Sequence, residues 1–352
     1  ITGYDNRSMY TFYYLSKLGN PDAGWEKVKK FNLGIDYAFL NNMFAGSVEI
    51  FKDKRDGILI NGNDRAMPSY FGQTPPTANL GKAESKGFEV EVRFSKNINR
   101  NMRVWANLSM THAANKIIDR DDPALKPAYQ KQAGYVIGQT HSYLDKGFLN
   151  SFDDIYGSPS HDVNDASRLP GDYYIVDFNG DGVVDNKDSV PYGYSGTPQN
   201  TYNATIGFEW KGFSCFAQFY GVTNVTREVS LVSFGNHIDN VYNIGDWWSG
   251  ETGTGDILIP RWYSTVSGYS NGTQYLYDGS YVRLKNVELA YTFTNGWIKK
   301  LGLSYMKLYL NGNNLWVWSR MPDDRESNFS GGSGSGAYPT MRRFNFGVRF
   351  SL

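Results

Sequence analysis

Residues 338–352 read YPTMRRFNFGVRFSL, and from Phe344 onward every second residue is apolar: Phe344, Phe346, Val348, Phe350 and Leu352. Between and before them stand Arg343, Asn345, Gly347, Arg349 and Ser351. Successive side chains of a strand point to opposite faces, so this pattern builds one apolar and one polar face. In a soluble sandwich the apolar face meets a second sheet. In an outer-membrane barrel it meets lipid, and the polar face lines a lumen.

The same alternation recurs upstream. Phe31, Leu33, Ile35, Tyr37 and Phe39 oppose Asn32, Gly34, Asp36 and Ala38; Asn41-Asn42 turns the chain, and Phe44, Gly46, Val48 and Ile50 continue on a partner strand. Residues 25–56 therefore read as a hairpin with a tight turn. A third strand sets Phe88, Val90, Val92 and Phe94 against Glu89, Glu91 and Arg93, and a fourth carries Val104, Ala106, Leu108 and Met110 on one face. The fifth places Tyr202, Ala204, Ile206, Phe208 and Trp210 together, Lys211-Gly212 turns, and the sixth aligns Phe213, Cys215, Ala217 and Phe219. In the seventh the phase changes, from Val282 and Leu284 to Val287, Leu289, Tyr291 and Phe293, which predicts a bulge near Lys285-Asn286. TNGWIKKLG is the next turn, and SYMKLYLNGNNLWVWS leads through GGSGSG to the last strand.

The connections decide between sandwich and barrel. Those after strands one, three, five and seven are short. Those after strands two, four, six and eight are long, near 57–81, 116–200, 225–278 and 319–338. Outer-membrane barrels alternate short periplasmic turns with long extracellular loops in this way, whereas a sandwich has no reason to keep every long loop at one end. Trp25, Trp105, Trp210, Trp297, Trp316, Trp318, Tyr291 and Tyr305 near the strand ends fit interfacial aromatic girdles. Nine strands, or ten counting the Tyr-rich lead, would leave two open edges in lipid, where unpaired backbone is not tolerated, so more strands are expected upstream. The predicted fold is all-β: the closing strands of a larger transmembrane antiparallel barrel, spanning the whole of 1–352.

Composition narrows the function. Lys plus Arg and Asp plus Glu both number 35, so the chain lacks the basic excess that nucleic-acid binding requires. No stretch approaches the roughly 18 consecutive apolar residues of a membrane helix. The single cysteine, Cys215, excludes an intramolecular disulfide and a cysteine metal site, and its parity gives it a packing role on the apolar face. The chain opens at ITGYDNRSMY without a signal peptide, which reads as a mature or internal start.

One motif points to a metal. DFNGDGVVDNKD places Asp177, Asn179 and Asp181 at positions one, three and five of an EF-hand-like loop, with Gly182 at six and Asp185 and Asp188 at nine and twelve. A hard cation needs several oxygens on a tightly curved loop, and the glycine lets the Val183 carbonyl join them. The shorter arm at position twelve leaves Ca²⁺ and Mg²⁺ both open. An Asx-rich surface turn is the plain alternative. No EF-hand helices flank the loop, so its expected role is to staple a long outer loop.

A second candidate is the aromatic loop NVYNIGDWWSGETGTGDILIPRWY, whose Trp247, Trp248, Trp262 and Tyr263 could stack on sugar rings, pack on a lid protein or hold the loop together. Catalytic signals are absent. His112, His141, His161 and His237 lack ligand spacing, and no nucleophile elbow or phosphate-cradling loop occurs. The acidic groups at Asp119, Asp121 and Asp122, at Asp153 and Asp154, and in DDRES from Asp323 read as solvated loop carboxylates.

Several segments resemble the SusC/RagA-like branch of TonB-linked outer-membrane proteins. LGNPDAGWEKVKKFNLGIDYAFLNNMFAGSVEIFKDKRDGIL is similar to that family's NPD-x-x-WEK strand and the LNN turn after it. NLGKAESKGFEVEV, YLYDGSYVRLKNVELAYTF and YPTMRRFNFGVRFSL resemble three further strands in the same order, and the two longest loops match least. The resemblance implies a plugged barrel of about 22 strands, of which this chain is the C-terminal part, with the plug and the TonB-contacting segment lying elsewhere. It further implies a SusD-like lipoprotein lid that captures oligosaccharides or peptides, and pairing of two SusC–SusD units. Leu352 stands where the family usually ends in an aromatic residue, which weakens the assembly signal. The expected activity is import across the outer membrane of a Gram-negative bacterium, with no enzymatic step and with glycan favoured over peptide. The alternatives are a siderophore receptor on the same barrel and a secreted calcium-containing carbohydrate-binding protein.

Overall fold

The protein is described here by a computed structural model, which covers residues 15, 18–228, 248–249, 272–294, 296–321 and 340–352. Its framework is a nine-stranded sheet in which sequence order is spatial order. The strands are β1 (Lys27–Phe39), β2 (Phe44–Ile60), β3 (Ala78–Asn99), β4 (Met102–Asp119), β5 (Asn200–Trp210), β6 (Phe213–Thr223), β7 (Tyr281–Phe293), β8 (Tyr305–Ser319) and β9 (Arg343–Ser351). From β4 to β9 every neighbour pair is antiparallel. Sequential antiparallel pairing without a crossover is the meander from which a barrel wall is made. β3 begins at Ala78, earlier than its apolar alternation suggests, because Gly81, Ala83 and Ser85 pair as strand without an apolar face to announce it.

The short turns have local causes. Lys211 and Gly212 both hold positive φ, 48° and 88°, which makes the two-residue primed turn whose twist suits flanking strands. Leu40, Asn41 and Asn42 take φ of 54°, 53° and 62° in the first hairpin, where asparagine tolerates the left-handed region better than most residues. The connection from β7 to β8 contains a one-turn helix, Trp297–Lys300. The predicted bulge is present: Gln218 pairs with Asn286 and Phe219 with Leu284, so Lys285 is the extra residue. On the β8 side Leu284 faces Trp316 and Asn286 faces Asn313, with Asn314 at φ 54° absorbing the shift.

The described residues group into two compact units. One lies within 1–30, 53–85 and 115–135. It is tied by Asn79, whose amide donates to the carbonyls of Gly24 and Gly57 at 2.9 and 2.7 Å, and by the ion pairs Arg65–Asp121 and Arg120–Asp64 at 3.5 and 3.2 Å. The other lies within 31–52, 86–114 and 136–352 and carries most of the wall.

In that larger unit the connection between β4 and β5 folds locally. Gln139–Tyr143 pairs antiparallel with Ser189–Ser195, Asp145–Phe148 with Tyr173–Ile175, and Ser160–His161 runs parallel to Val183–Val184. A short helix, Phe152–Gly157, starts with a capping box in which Ser151 accepts from the Asp154 amide and Asp154 accepts from the Ser151 amide. One apolar cluster joins Tyr173, Ile175 and Val184 of this connection to Tyr275; another, of Val222, Val225, Tyr281 and Met321, lies where β6 ends, β7 begins and β8 ends.

Candidate functional site

The functional surface is the wall itself. Phe344 and Phe346 are 72% and 73% exposed, Ile35 66% and Ile206 53%, and the same face shows Leu289, Leu310 and Trp316 to the surroundings. A soluble monomer does not leave a sheet-wide apolar face uncovered, and among the described residues no second sheet packs on it. Lipid is the solvent that suits this face. No helix among the described residues is long and apolar enough to cross a membrane, so any crossing is made by strands. β5 and β6 have 11 residues each, which matches the roughly 9–11 a tilted strand needs to span the hydrocarbon.

Aromatic rings mark the wall near its short turns. Phe39 stacks on Phe44 at 5.3 Å, Phe44 meets Phe94 at 5.1 Å, and Phe293 bridges Tyr291 and Trp297 at 4.6 and 5.8 Å. Trp316 and Trp318 are exposed toward the other end of β8. Trp105, expected in a girdle, belongs to the opposite face. It sits directly across from Gly207, and a Cβ there would overlap the indole ring. Tyr309 covers Gly347 in the same manner. A ring laid over a cross-strand glycine fills the gap that the missing side chain leaves and helps to pin the register.

The polar face is knit by amides and balanced charges. Asn286 accepts from Asn311 and, at 3.3 Å, from Asn313, while Asn345 donates to the side-chain oxygens of both at 3.4 and 3.3 Å. Gln218 donates to Asn203 at 3.4 Å. Lys307 lies 2.7 Å from Glu288, and Arg103 lies 3.8 Å from Glu209. This face offers hydrogen bonds with nearly neutral charge.

The insertions between β4 and β5 and between β6 and β7 are joined at Asp145, which accepts from the Thr273 hydroxyl at 2.7 Å and from the Gln274 amide at 3.2 Å. Tyr173 and Tyr275 meet hydroxyl to hydroxyl at 3.1 Å, and burial pushes both phenols above their ordinary pKa. Trp248 donates its indole N–H to Asn150 at 2.9 Å, so this tryptophan binds one loop to another. Trp247, Trp262 and Tyr263 lie outside the described residues.

The Asp177–Asp188 loop curls as its sequence suggests. Asp177 accepts from the amides of Gly180 and Gly182, which sit at φ 75° and 90°, and Asn179 and Asp181 accept from the amides two residues on. Asp188 is fully buried and accepts from the amides of Phe178, Asn179 and Asp185. Amide hydrogen bonding, chiefly from Val183, holds the Asp181 carboxyl below its usual range. Lys187 brings its ammonium 2.6 Å from Asp185 and 3.5 Å from Asp181. The donors are hard oxygens in the right order for a divalent ion. Among the described residues, however, no three His, Cys, Asp or Glu side chains converge as a metal shell.

The family described as TonB dependent receptor-like, beta-barrel matches residues 2–315. TonB-dependent receptor P3 of Formosa agariphila is 26% identical over 96% of this chain and 35% of its own length. TonB-dependent receptor SusC of Bacteroides thetaiotaomicron is 23% identical over 82% of this chain and 28% of its own length. The chain thus spans about a third of the length of the curated relatives it matches. Among solved structures, the RagAB peptide transporter superposes with a TM-score of 0.70 at 19% identity, covering 100% of this chain and 38% of that one. That likeness shows the fold, a wall segment of an antiparallel β-barrel. The family consists of outer-membrane receptors and not of enzymes, and both its match and the two-faced wall lead to one conclusion: this chain belongs to the TonB-dependent receptor-like β-barrel family.

Proposed function

We propose that the chain forms part of a TonB-dependent importer that carries oligosaccharides across the outer membrane of a Gram-negative bacterium, working with a SusD-like surface lipoprotein. The observation that carries this reading is the two-faced wall: an exposed apolar face suited to lipid, and a polar face of asparagine and glutamine amides on which Lys307 meets Glu288 and Arg103 meets Glu209. A neutral, donor- and acceptor-rich path favours uncharged hydroxylated solutes over charged ones, which supports glycan over peptide. The outer insertions give a lid protein a folded surface to meet, and energy arrives through TonB acting on a plug outside this segment. Pairing of two receptor–lipoprotein units belongs to the same proposal.

The test is co-purification. Detergent-extracted receptor captured from outer membranes should bring an abundant surface lipoprotein with it, identified by mass spectrometry, and should migrate differently on gels with and without boiling. Recovery in a soluble or secreted fraction, with no lipoprotein and no heat-modifiable band, would contradict the importer.

The Asp177–Asp188 loop is assigned a Ca²⁺ or Mg²⁺ ion within this reading. Asp177, Asn179, Asp181, the Val183 carbonyl, Asp185 and Asp188 would be the ligands, and Lys187 would have to leave Asp181 and Asp185 for the ion to enter. The ion would supply only local rigidity. Adding millimolar Ca²⁺ to chelator-treated receptor should slow hydrogen exchange across 177–188 and leave the wall strands unchanged. Equal exchange with chelator, Ca²⁺ and Mg²⁺ would dismiss the ion and leave Lys187 as the loop's own counter-charge. Asp188→Ala should melt the loop in either case. It strands three amide donors in a buried place, at about 1–3 kcal/mol for each group left unsatisfied.

A further inference from the structure

Where the strand Ser189–Ser195 lies against the ribbon made by Thr226–Glu228 and Leu276–Asp278, the chain leaves an open cleft of about 410 Å³. That volume lies within the roughly 300–1,000 Å³ of small-molecule sites. Tyr192, Tyr194, Tyr277, Asn224, Asp278 and Ser280 line it. Its construction depends on Gly193, at φ 58°, where a Cβ would overlap the Thr226 hydroxyl. With glycine there, the strand seats on Thr226, which accepts from the Tyr194 amide at 2.7 Å.

The chemistry of the lining is specific. Tyr192 and Tyr194 are 38% and 43% exposed, and among the described residues no hydrogen bond engages either phenol. The Tyr277 hydroxyl is closed off from solvent and has no hydrogen-bond partner among the described residues. Asp278 accepts from the Ser280 amide at 3.0 Å, from the Ser280 hydroxyl, and from Arg320 at 2.9 Å. Burial works to raise its pKa, but Ser280 and Arg320 prevail and hold the carboxyl below its usual range. Arg320 offsets its charge, so the cleft is no seat for a lone ammonium. The carbonyls of this stretch are already engaged: those of Tyr192 and Gly193 accept from the Gln139 side-chain amide at 3.2 Å each, and that of Tyr194 accepts from the Thr140 hydroxyl at 2.8 Å. What remains is aromatic faces beside hydroxyl-binding oxygens.

We infer that this cleft is a subsite for one sugar ring of a neutral oligosaccharide, with Tyr192 and Tyr194 stacking on the ring's apolar C–H faces and Asp278 accepting from its hydroxyls. The assignment rests on the importer reading and names one place where its substrate is held. It lies toward the polar side of the wall: Val222 and Tyr281 of the core against which Tyr277 packs share the strand parity of Gln218 and Arg283, opposite to Phe219 and Leu284.

Full-length receptor in detergent would be screened against malto-, cello-, manno- and xylo-hexasaccharides, with casein tryptic peptides as the competing class. Wild type, the double variants Tyr192→Ala/Tyr194→Ala and Tyr192→Phe/Tyr194→Phe, and heat-modifiable migration as the fold control complete the set. The expected result is that a hexasaccharide binds, that the alanine pair weakens it about tenfold or more while still migrating as a folded barrel, and that the phenylalanine pair stays close to wild type. If wild type and the alanine pair bind a hexasaccharide equally, the subsite is wrong and the importer stands. If wild type binds only the casein peptides, or no hexasaccharide at all, the oligosaccharide reading falls together with the subsite.

Discussion

Replacing Ile206 by arginine is expected to cost about 2–4 kcal/mol of barrel stability, the penalty for a cation on the lipid face near mid-bilayer. The same change one residue earlier, at Thr205, should stay within about 0.5 kcal/mol, as an arginine on a wet polar face does. Ile206 is 53% exposed at the middle of β5, opposite Ala106 on one side and Ala217 on the other. Thr205 pairs with Asn107 and Gln218 on the other face. Neighbouring positions thus differ only in which solvent they meet. Urea unfolding in lipid vesicles, followed by tryptophan fluorescence, gives both numbers. A soluble protein whose apolar face merely happened to be open would tolerate both substitutions alike.

Gly46→Ala is the second large effect. A Cβ at Gly46 would run into the Glu91 carbonyl of β3 and stand 2.7 Å from the Tyr37 hydroxyl, which itself donates to that carbonyl at 3.1 Å. Backbone cannot step aside without parting the strands, so the overpacking cost should sit at or above the top of the usual range of about 1–3 kcal/mol. Gly87→Ala is comparable, because its Cβ would meet the His112 carbonyl. Gly207→Ala meets only the Trp105 ring, a side chain that can turn, and should cost less. The ordering of the three, read from unfolding midpoints in vesicles, checks whether these glycines serve close approach of strands. Equal costs would mean that they act only through the conformational freedom of the unfolded chain.

The wall was legible in the sequence because period-two alternation survives wherever one face meets a uniform solvent, and lipid is uniform along the whole strand. Phe344 to Leu352, Tyr202 to Trp210 and the phase change at Lys285 all carried through to the structure for this reason. Trp105 was misplaced because its type suggested a girdle, while its parity with Arg103 pointed to the polar face; parity was the better guide. The start of β3 stayed hidden because small residues give no alternation to read. The outer region was least legible. Its strands are as short as two residues, and their partners are set by tertiary contacts such as those of Asp145 with Thr273 and Gln274. The tyrosine cleft draws on three segments far apart in the chain, so no local pattern announces it. The aspartate loop was visible as a motif, and the part Lys187 plays in neutralising Asp181 and Asp185 became visible only in three dimensions.

The most direct measurement is a nitroxide scan along β5. With Cys215 replaced and the full-length receptor otherwise cleared of cysteine, single cysteines at 202–206 and 208–210 would be spin-labelled in lipid vesicles, Gly207 being left in place under the Trp105 ring, and collision with oxygen compared with collision with a water-soluble nickel chelate. A lipid-facing wall gives oxygen-dominated collisions at 202, 204, 206, 208 and 210 and nickel-dominated collisions at 203, 205 and 209. Nickel access without alternation, equal on both faces, would place β5 in water on both sides and contradict the membrane wall.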